Sequence, residues 1–172
     1  MQTVEVTIKG VAPLLMHRYP LEDQQEEKAK KRNKVYDPKE DAEKALYKNA
    51  NGCFAPATWI ESCLRDAGKG MAKGKGTYKS SMQSSVFVEP DEIPLGKETY
   101  DEIDRRPVVI QRNRVVRSRP KFNNWQMSFK INFDETVIHK DVLKDILTEA
   151  GKTKGIGDYR PKFGRFEVVE FN

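Results

Sequence analysis

The sequence predicts an α+β domain in which one antiparallel sheet carries two helices on one face. Three observations predict it. Residues 3–9 and 125–133 alternate apolar and polar side chains with the period of a half-buried strand. Two segments, around Ile60 and around Leu143, place apolar residues at i, i+3, i+4 and i+7, which is one face of a helix. Each of these helices lies between extended segments, the arrangement that a split βαβ unit requires. A chain of 172 residues suits a single domain spanning 1–172 and can bury a core without disulfide or metal staples.

In the first segment Val4, Val6 and Ile8 share one face and Glu5, Thr7 and Lys9 the other. Gly10 and Pro13 end it. Residues 22–49 then read as a charged helical insertion. Residues 22–34 are nearly free of apolar side chains, whereas Asp37-Pro38 has the N-cap and N1 chemistry of a helix start, with Glu40 and Asp41 in the first turn. Asn51-Gly52 marks a turn into a short extended Cys53-Phe54-Ala55. Thr58 and Glu61 have capping-box spacing ahead of Ile60, Cys63, Leu64 and Ala67, and Gly68 and Gly70 are placed to stop that helix.

Residues 68–79, GKGMAKGKGTYK, read as a flexible basic loop without the spacing of a phosphate-binding P-loop. Residues 84–95 read as extended, interrupted by Pro90. Residues 107–119 are β-branched and arginine-rich, and their alternation slips at Val115-Val116, as a bulge or bend would make it. Trp125, Met127, Phe129, Ile131 and Phe133 form the inner face of the clearest strand. Leu143, Ile146, Leu147 and Ala150 mark the second helix, closed by Gly151. A Gly- and base-rich loop over 155–163 leads to a final strand over 165–171. The order of elements fits a ferredoxin-like βαββαβ fold with an insertion after the first strand.

Charge is segregated. Residues 105–121 hold seven basic and no acidic side chains; 65–79 and 152–165 each hold five basic and one acidic. These segments together carry +15 within a chain of net charge +5, leaving −10 elsewhere. Such segregation is the footprint of a polyanion binder. No run of 18 apolar residues occurs, so no membrane helix is expected, and the N-terminus lacks the basic and apolar regions of a secretory signal, which points to the cytoplasm. Cys53 and Cys63 stand alone, and His17 and His139 lack metal-ligand spacing. No metal and no cofactor are expected.

Two segments resemble the RAMP superfamily, which contains repeat-RNA-processing and backbone subunits of CRISPR effector complexes. Residues 52–65, GCFAPATWIESCLR, are similar to the family's Gly-led strand that turns through a proline into a helix ending in Leu-Arg; Ala57 and Thr58 stand where Gly-Ser is usual. Residues 155–166, GIGDYRPKFGRF, are similar to its C-terminal glycine-rich loop, with one glycine of the closing triplet missing. The resemblance implies binding of single-stranded RNA, favoured over DNA, head-to-tail self-association and partners among other effector subunits. It also implies that residues 22–49 act as a projecting arm, and that the open face of the sheet and its loops carry the function.

On the residues themselves, Arg65, Lys69, Lys73, Lys75, Lys79, Arg112, Arg114, Arg117, Arg119, Lys121, Lys154, Arg160, Lys162 and Arg165 are the expected phosphate partners, with Arg112 and Arg114 sharing one face and Arg117 and Arg119 another. Gly155 and Gly157 are expected to bring backbone N–H groups to phosphates, and Tyr78, Tyr159 and Phe163 to stack on bases. His17, after the first strand, is a candidate general base for RNA cleavage, although no second acid–base group accompanies it, and binding without catalysis is the favoured reading. Alternatives from other classes are a single-stranded DNA-binding protein of a phage or mobile element, and an assembly protein whose basic surface docks an acidic partner.

Overall fold

Alternation decides the central sheet. The structure, a computed structural model, describes residues 1–19 and 35–172; residues 22–34 of the expected insertion lie outside the described residues. β1 (Gln2–Gly10) buries Val4, Val6 and Ile8 and pairs antiparallel with β11 (Gln126–Phe133), whose Met127, Phe129, Ile131 and Phe133 are buried on the same side. On its other edge β1 pairs with β12 (Phe166–Phe171), through a register shift at Thr7/Ile8. β7 (Val86–Glu89) pairs with β11, giving the order β12-β1-β11-β7 with every neighbour antiparallel. This is the fourth-first-third-second order of a ferredoxin-like fold.

Two helices cover the face those residues share. α2 (Ala57–Gly68) presents Ile60, Cys63, Leu64 and Ala67, and α4 (Lys140–Thr153) presents Leu143, Ile146, Leu147 and Ala150, all at most 1% exposed. Burying Ile60 and Leu64 alone contributes about 4 kcal/mol. Cys53 and Cys63 are free and buried, and burial pushes the Cys63 thiol up to about 12.

Several local expectations change. Thr58 does not cap α2. Pro56 is the N-cap residue without a side-chain bond, and Glu61 instead accepts from Val88 N–H (3.1 Å), tying the helix to the sheet's edge strand. α2 ends on Gly68, as expected, with Lys69 as its C-cap, whereas α4 runs past Gly151 to Thr153, with Lys154 as its C-cap. The basic loop folds into a minimal hairpin, β5 (Ala72–Lys73) with β6 (Gly76–Thr77), followed by a short helix α3 (Lys79–Ser85). The expected N-cap Asp37 is in place, accepting from Lys39 N–H ahead of α1 (Pro38–Lys44). Residues 38–46 pack into the body, with Ala42, Ala45 and Leu46 buried. A small sheet of β3 (Lys48–Asn49), β4 (Gly52–Pro56) and β8 (Glu92–Pro94) closes that side.

The largest departure is the arginine segment. It contains no bulge. It is a hairpin of β9 (Glu102–Ile110) and β10 (Asn113–Phe122) in continuous register, reversing at Gln111-Arg112, both at positive φ. The base of the hairpin is anchored: β10 pairs with β2 (Leu14–Leu15), Phe122 is fully buried, and Asp41 of α1 accepts from Ser118 N–H (2.9 Å). The distal half is open on both faces, with Val109 70%, Val115 40% and Val116 41% exposed.

Candidate nucleic-acid interface

The open face of the central sheet is not basic. The side chains opposite the helices include Glu5, Glu89, Glu167 and Glu170 against Lys9 and Lys130, and Phe87 is its exposed aromatic. That face offers a polyanion no net attraction, and basic side chains gather instead where the C-terminal loop meets the hairpin base.

Five amides of the C-terminal loop are spent on the protein itself. Gly155 N–H reaches Ala150 O, Ile156 N–H reaches Gly164 O, Asp158 N–H reaches Leu15 O, Phe163 N–H reaches Tyr159 O and Gly164 N–H reaches Pro13 O, all at 2.8–3.2 Å. Gly155 is buried. The Gly155 amide is therefore spent on its own helix end and is not offered to a phosphate. A Cβ on Gly157 would stand 2.5 Å from Leu15 O and 2.7 Å from Leu14 Cδ1 at a φ of +77°. What the loop offers outward is side chains: Tyr159, Arg160, Lys162 and Arg165 are exposed, and Tyr159 is held at a φ of +58°, a conformation a tyrosine adopts only when its surroundings impose it.

The hairpin supplies that imposition. Register puts Asp104 opposite Arg119 and Arg106 opposite Arg117, so all four share one face. Arg106 Nε donates to Asp104 Oδ2 (2.8 Å), and its guanidinium lies 5.2 Å from the Tyr159 ring and 4.9 Å from the Phe163 ring. Arg119, 7% exposed, is ion-paired with Asp158, which fastens the loop to β10. Arg119 is thus a fastener and not a surface phosphate contact; Phe163, 6% exposed, is packing and not a stacking platform.

The remaining expected residues divide. Arg117 shares the Arg119 face and is half-buried, whereas Arg114 lies on the opposite face and Arg112 in the turn, so the expected Arg112–Arg114 face does not form. Lys121 is bound to Glu102 (2.8 Å). Near the end of α2, Asp66 is held below the usual carboxylate range by its bond from Lys69 and by the charges of Arg65 and Arg160, which places those basic groups around one carboxylate. Lys73 is engaged by Ser81 and Val137 O and lies 5.3 Å from the Tyr78 ring; both belong to the small hairpin's surroundings. Lys75 and Lys79 are exposed, and Lys154 is half-buried. Sequence reasoning left out Arg106 and Asp158. Arg106 is visible only once the turn is placed at Gln111-Arg112 and the cross-strand pairs follow.

His17 sits beside this fastening. Its Nδ1 and one terminal nitrogen of Arg119 are buried without a hydrogen-bond partner. Burial holds the imidazole below its ordinary value against the pull of Asp158, and Arg119 and Arg117 lower it further. The unfolded chain therefore takes up this proton first, from about pH 6.5 downward, and stability falls as pH falls through that value toward the folded one. His17→Gln is expected to flatten this part of the acid-side decline in urea midpoint; an unchanged profile would show that His17 does not contribute to it. Among the described residues no group of three or more His, Cys, Asp or Glu could hold a metal, and no helix is long and apolar enough to cross a membrane.

No protein-family model matches the chain, and no curated protein matches it. Among solved structures it is similar to a chain in the cryo-EM structure of the Type III-B Cmr-beta bound to cognate target RNA. The TM-score is 0.53 at 11% identity, over 99% of this chain and 59% of that one. At that identity the likeness carries the fold, and this chain spans about three-fifths of its neighbour's length.

Proposed function

We propose that this chain is a RAMP-type protein that binds single-stranded RNA, acting as a backbone subunit along a guide or other single strand. The observation that carries the reading is the C-terminal loop, fastened by Arg119–Asp158 and presenting Tyr159, Arg160, Lys162 and Arg165 beside Arg106 and Arg117. Guanidinium and ammonium groups neutralise phosphates, and an exposed aromatic ring accepts a base without reading its identity. RNA over DNA is supported by the resemblance of residues 52–65 and 155–166 and by the target RNA in the neighbour's complex. The test is filter binding with RNA and DNA strands of one sequence and with duplex RNA. Single-stranded RNA is expected to bind tightest; equal or tighter binding of duplex or DNA contradicts the reading.

Tyr159 carries a separate expectation. Tyr159→Ala removes stacking worth about 1.4 kcal/mol, or tenfold in affinity, while leaving the salt dependence as it was, because no charge is lost. Tyr159→Phe keeps the ring and should bind as the parent does. Equal affinity of the Ala variant would remove Tyr159 from the interface.

A further inference from the structure

The ionisable group beside the loop's fastening has no part in the basic surface. β2 pairs Leu15 with Lys121, and Met16 N–H donates to Pro120 O (3.2 Å), which carries the half-buried His17 alongside Arg119 of β10. Among the described residues, His17 Nδ1 and one terminal nitrogen of Arg119 are buried without a hydrogen-bond partner. Each such atom destabilises the closed loop and regains water once the loop lifts.

The carboxylates around the imidazole are already engaged. Asp158 of the loop is ion-paired with Arg119, and Asp41 of α1 accepts from Ser118 N–H (2.9 Å). Asp104 of β9, opposite Arg119, accepts at both oxygens from Arg106 Nε (3.0 and 2.8 Å). Arg117 and Arg119 of β10 face the imidazole with positive charge. A proton on His17 therefore adds a cation where cations already meet and the anions are taken. Backbone holds the loop lightly across this spot. Of its five bonded amides, two cross to the β2 region: Asp158 N–H to Leu15 O (2.9 Å) and Gly164 N–H to Pro13 O (2.8 Å).

We infer that His17 is a proton-operated latch: its protonation breaks the Arg119–Asp158 tie and lifts the C-terminal loop from β2 and β10. Opening hydrates both unpartnered nitrogens and puts water between the cations, while the sheet and its helices stay folded. The sign agrees. Burial holds the closed-state imidazole below its ordinary value, so the open state takes up the proton first and acid favours opening. The loop carries Tyr159, Arg160 and Lys162 away with it, the side chains that the proposed function gives to a strand. The latch itself needs no nucleic acid, so it stands or falls apart from the RNA reading.

Amide hydrogen exchange of the nucleic-acid-free full chain, read as protection factors from about pH 8 to about pH 5, tests it. The amides of Asp158 and Gly164 are expected to lose protection as pH falls below 6.5, by up to about tenfold per pH unit, the limit for uptake of one proton. At every pH they should exchange faster than the amides of β1, which lies between β12 and β11, and should respond little to low urea, because lifting a loop exposes little surface. His17→Gln and His17→Asn, each neutral and polar, should both flatten the pH profile, so the test does not depend on one variant folding. His139→Gln, at the chain's other histidine, should keep the wild-type profile. A flat wild-type profile overturns the inference. So do loop amides that exchange at the rate and with the urea dependence of β1, or a pH profile that survives in a folded His17 variant.

Discussion

Arg119→Met is expected to lower the unfolding free energy by about 3 kcal/mol, the size associated with stranding one member of a buried ion pair. Arg119 is almost fully buried and its partner Asp158 is 35% exposed at the side chain, so Asp158 regains some water and the full loss is not reached. The unpartnered nitrogen of Arg119 works against the pair, since a buried donor without an acceptor costs about 1–3 kcal/mol. The sum still favours the wild type, because the pair also holds the loop against β10. Adding Asp158→Asn to Arg119→Met should recover most of the stability without restoring RNA affinity, since the charge is removed but the tie is not remade. Lysine at 119 keeps the charge without the guanidinium fork and should not substitute. A loss under about 0.5 kcal/mol in urea unfolding would mean that the pair behaves as an exposed one.

Gly164→Ala is the second large effect. Gly164 has a φ of +75°, and a Cβ there would collide with the Ile156 carbonyl, which is backbone and cannot rotate away. Left-handed backbone alone costs an alanine about 1–2 kcal/mol, and the collision adds to it, giving about 3 kcal/mol or more. Gly74 offers the control. Its φ is +58°, but nothing lies within 4 Å of the added atom. Gly74→Ala should therefore cost only the backbone part. Equal losses at 164 and 74 in urea unfolding would show that the loop yields to the extra methyl.

The sheet and its two helices were legible because burial imposes period 2 on strands and an i, i+3, i+4, i+7 stripe on helices. Val4-Val6-Ile8 and Ile60-Cys63-Leu64-Ala67 state their faces directly. The hairpin was not legible for the same reason. Both faces of its distal half meet solvent, so Val115 and Val116 obey no alternation, and its turn is built by Gln111 and Arg112 without the glycine that usually signals one. α3 was missed because Lys79-Ser80-Ser81 lacks an apolar stripe. The C-terminal loop was found as a segment, but its packing against the N-terminal strand region was not. Pro13 O accepts from Gly164 N–H and Leu15 O from Asp158 N–H, both across most of the chain's length in sequence, and no local pattern announces such a backbone contact. Glu5 and Lys130 of the open face were written in the alternation of β1 and β11, yet the net sign of that face emerges only when strand order sets Glu89, Lys130 and Glu5 in one row.

Under the proposed function, the C-terminal loop and hairpin base bind the phosphates of a single strand. The direct measurement is affinity for single-stranded RNA against salt, for the wild type and for Arg117→Ala/Arg160→Ala/Lys162→Ala/Arg165→Ala. Each phosphate contact on a single strand contributes about 0.7 to the slope of log affinity against log salt, so four lost contacts should flatten it by about 2.8. The thermal midpoint should hold, since these side chains are exposed or half-buried and none is the fastener. A flattened slope in a folded variant is the predicted result. A folded variant with the wild-type slope contradicts the account.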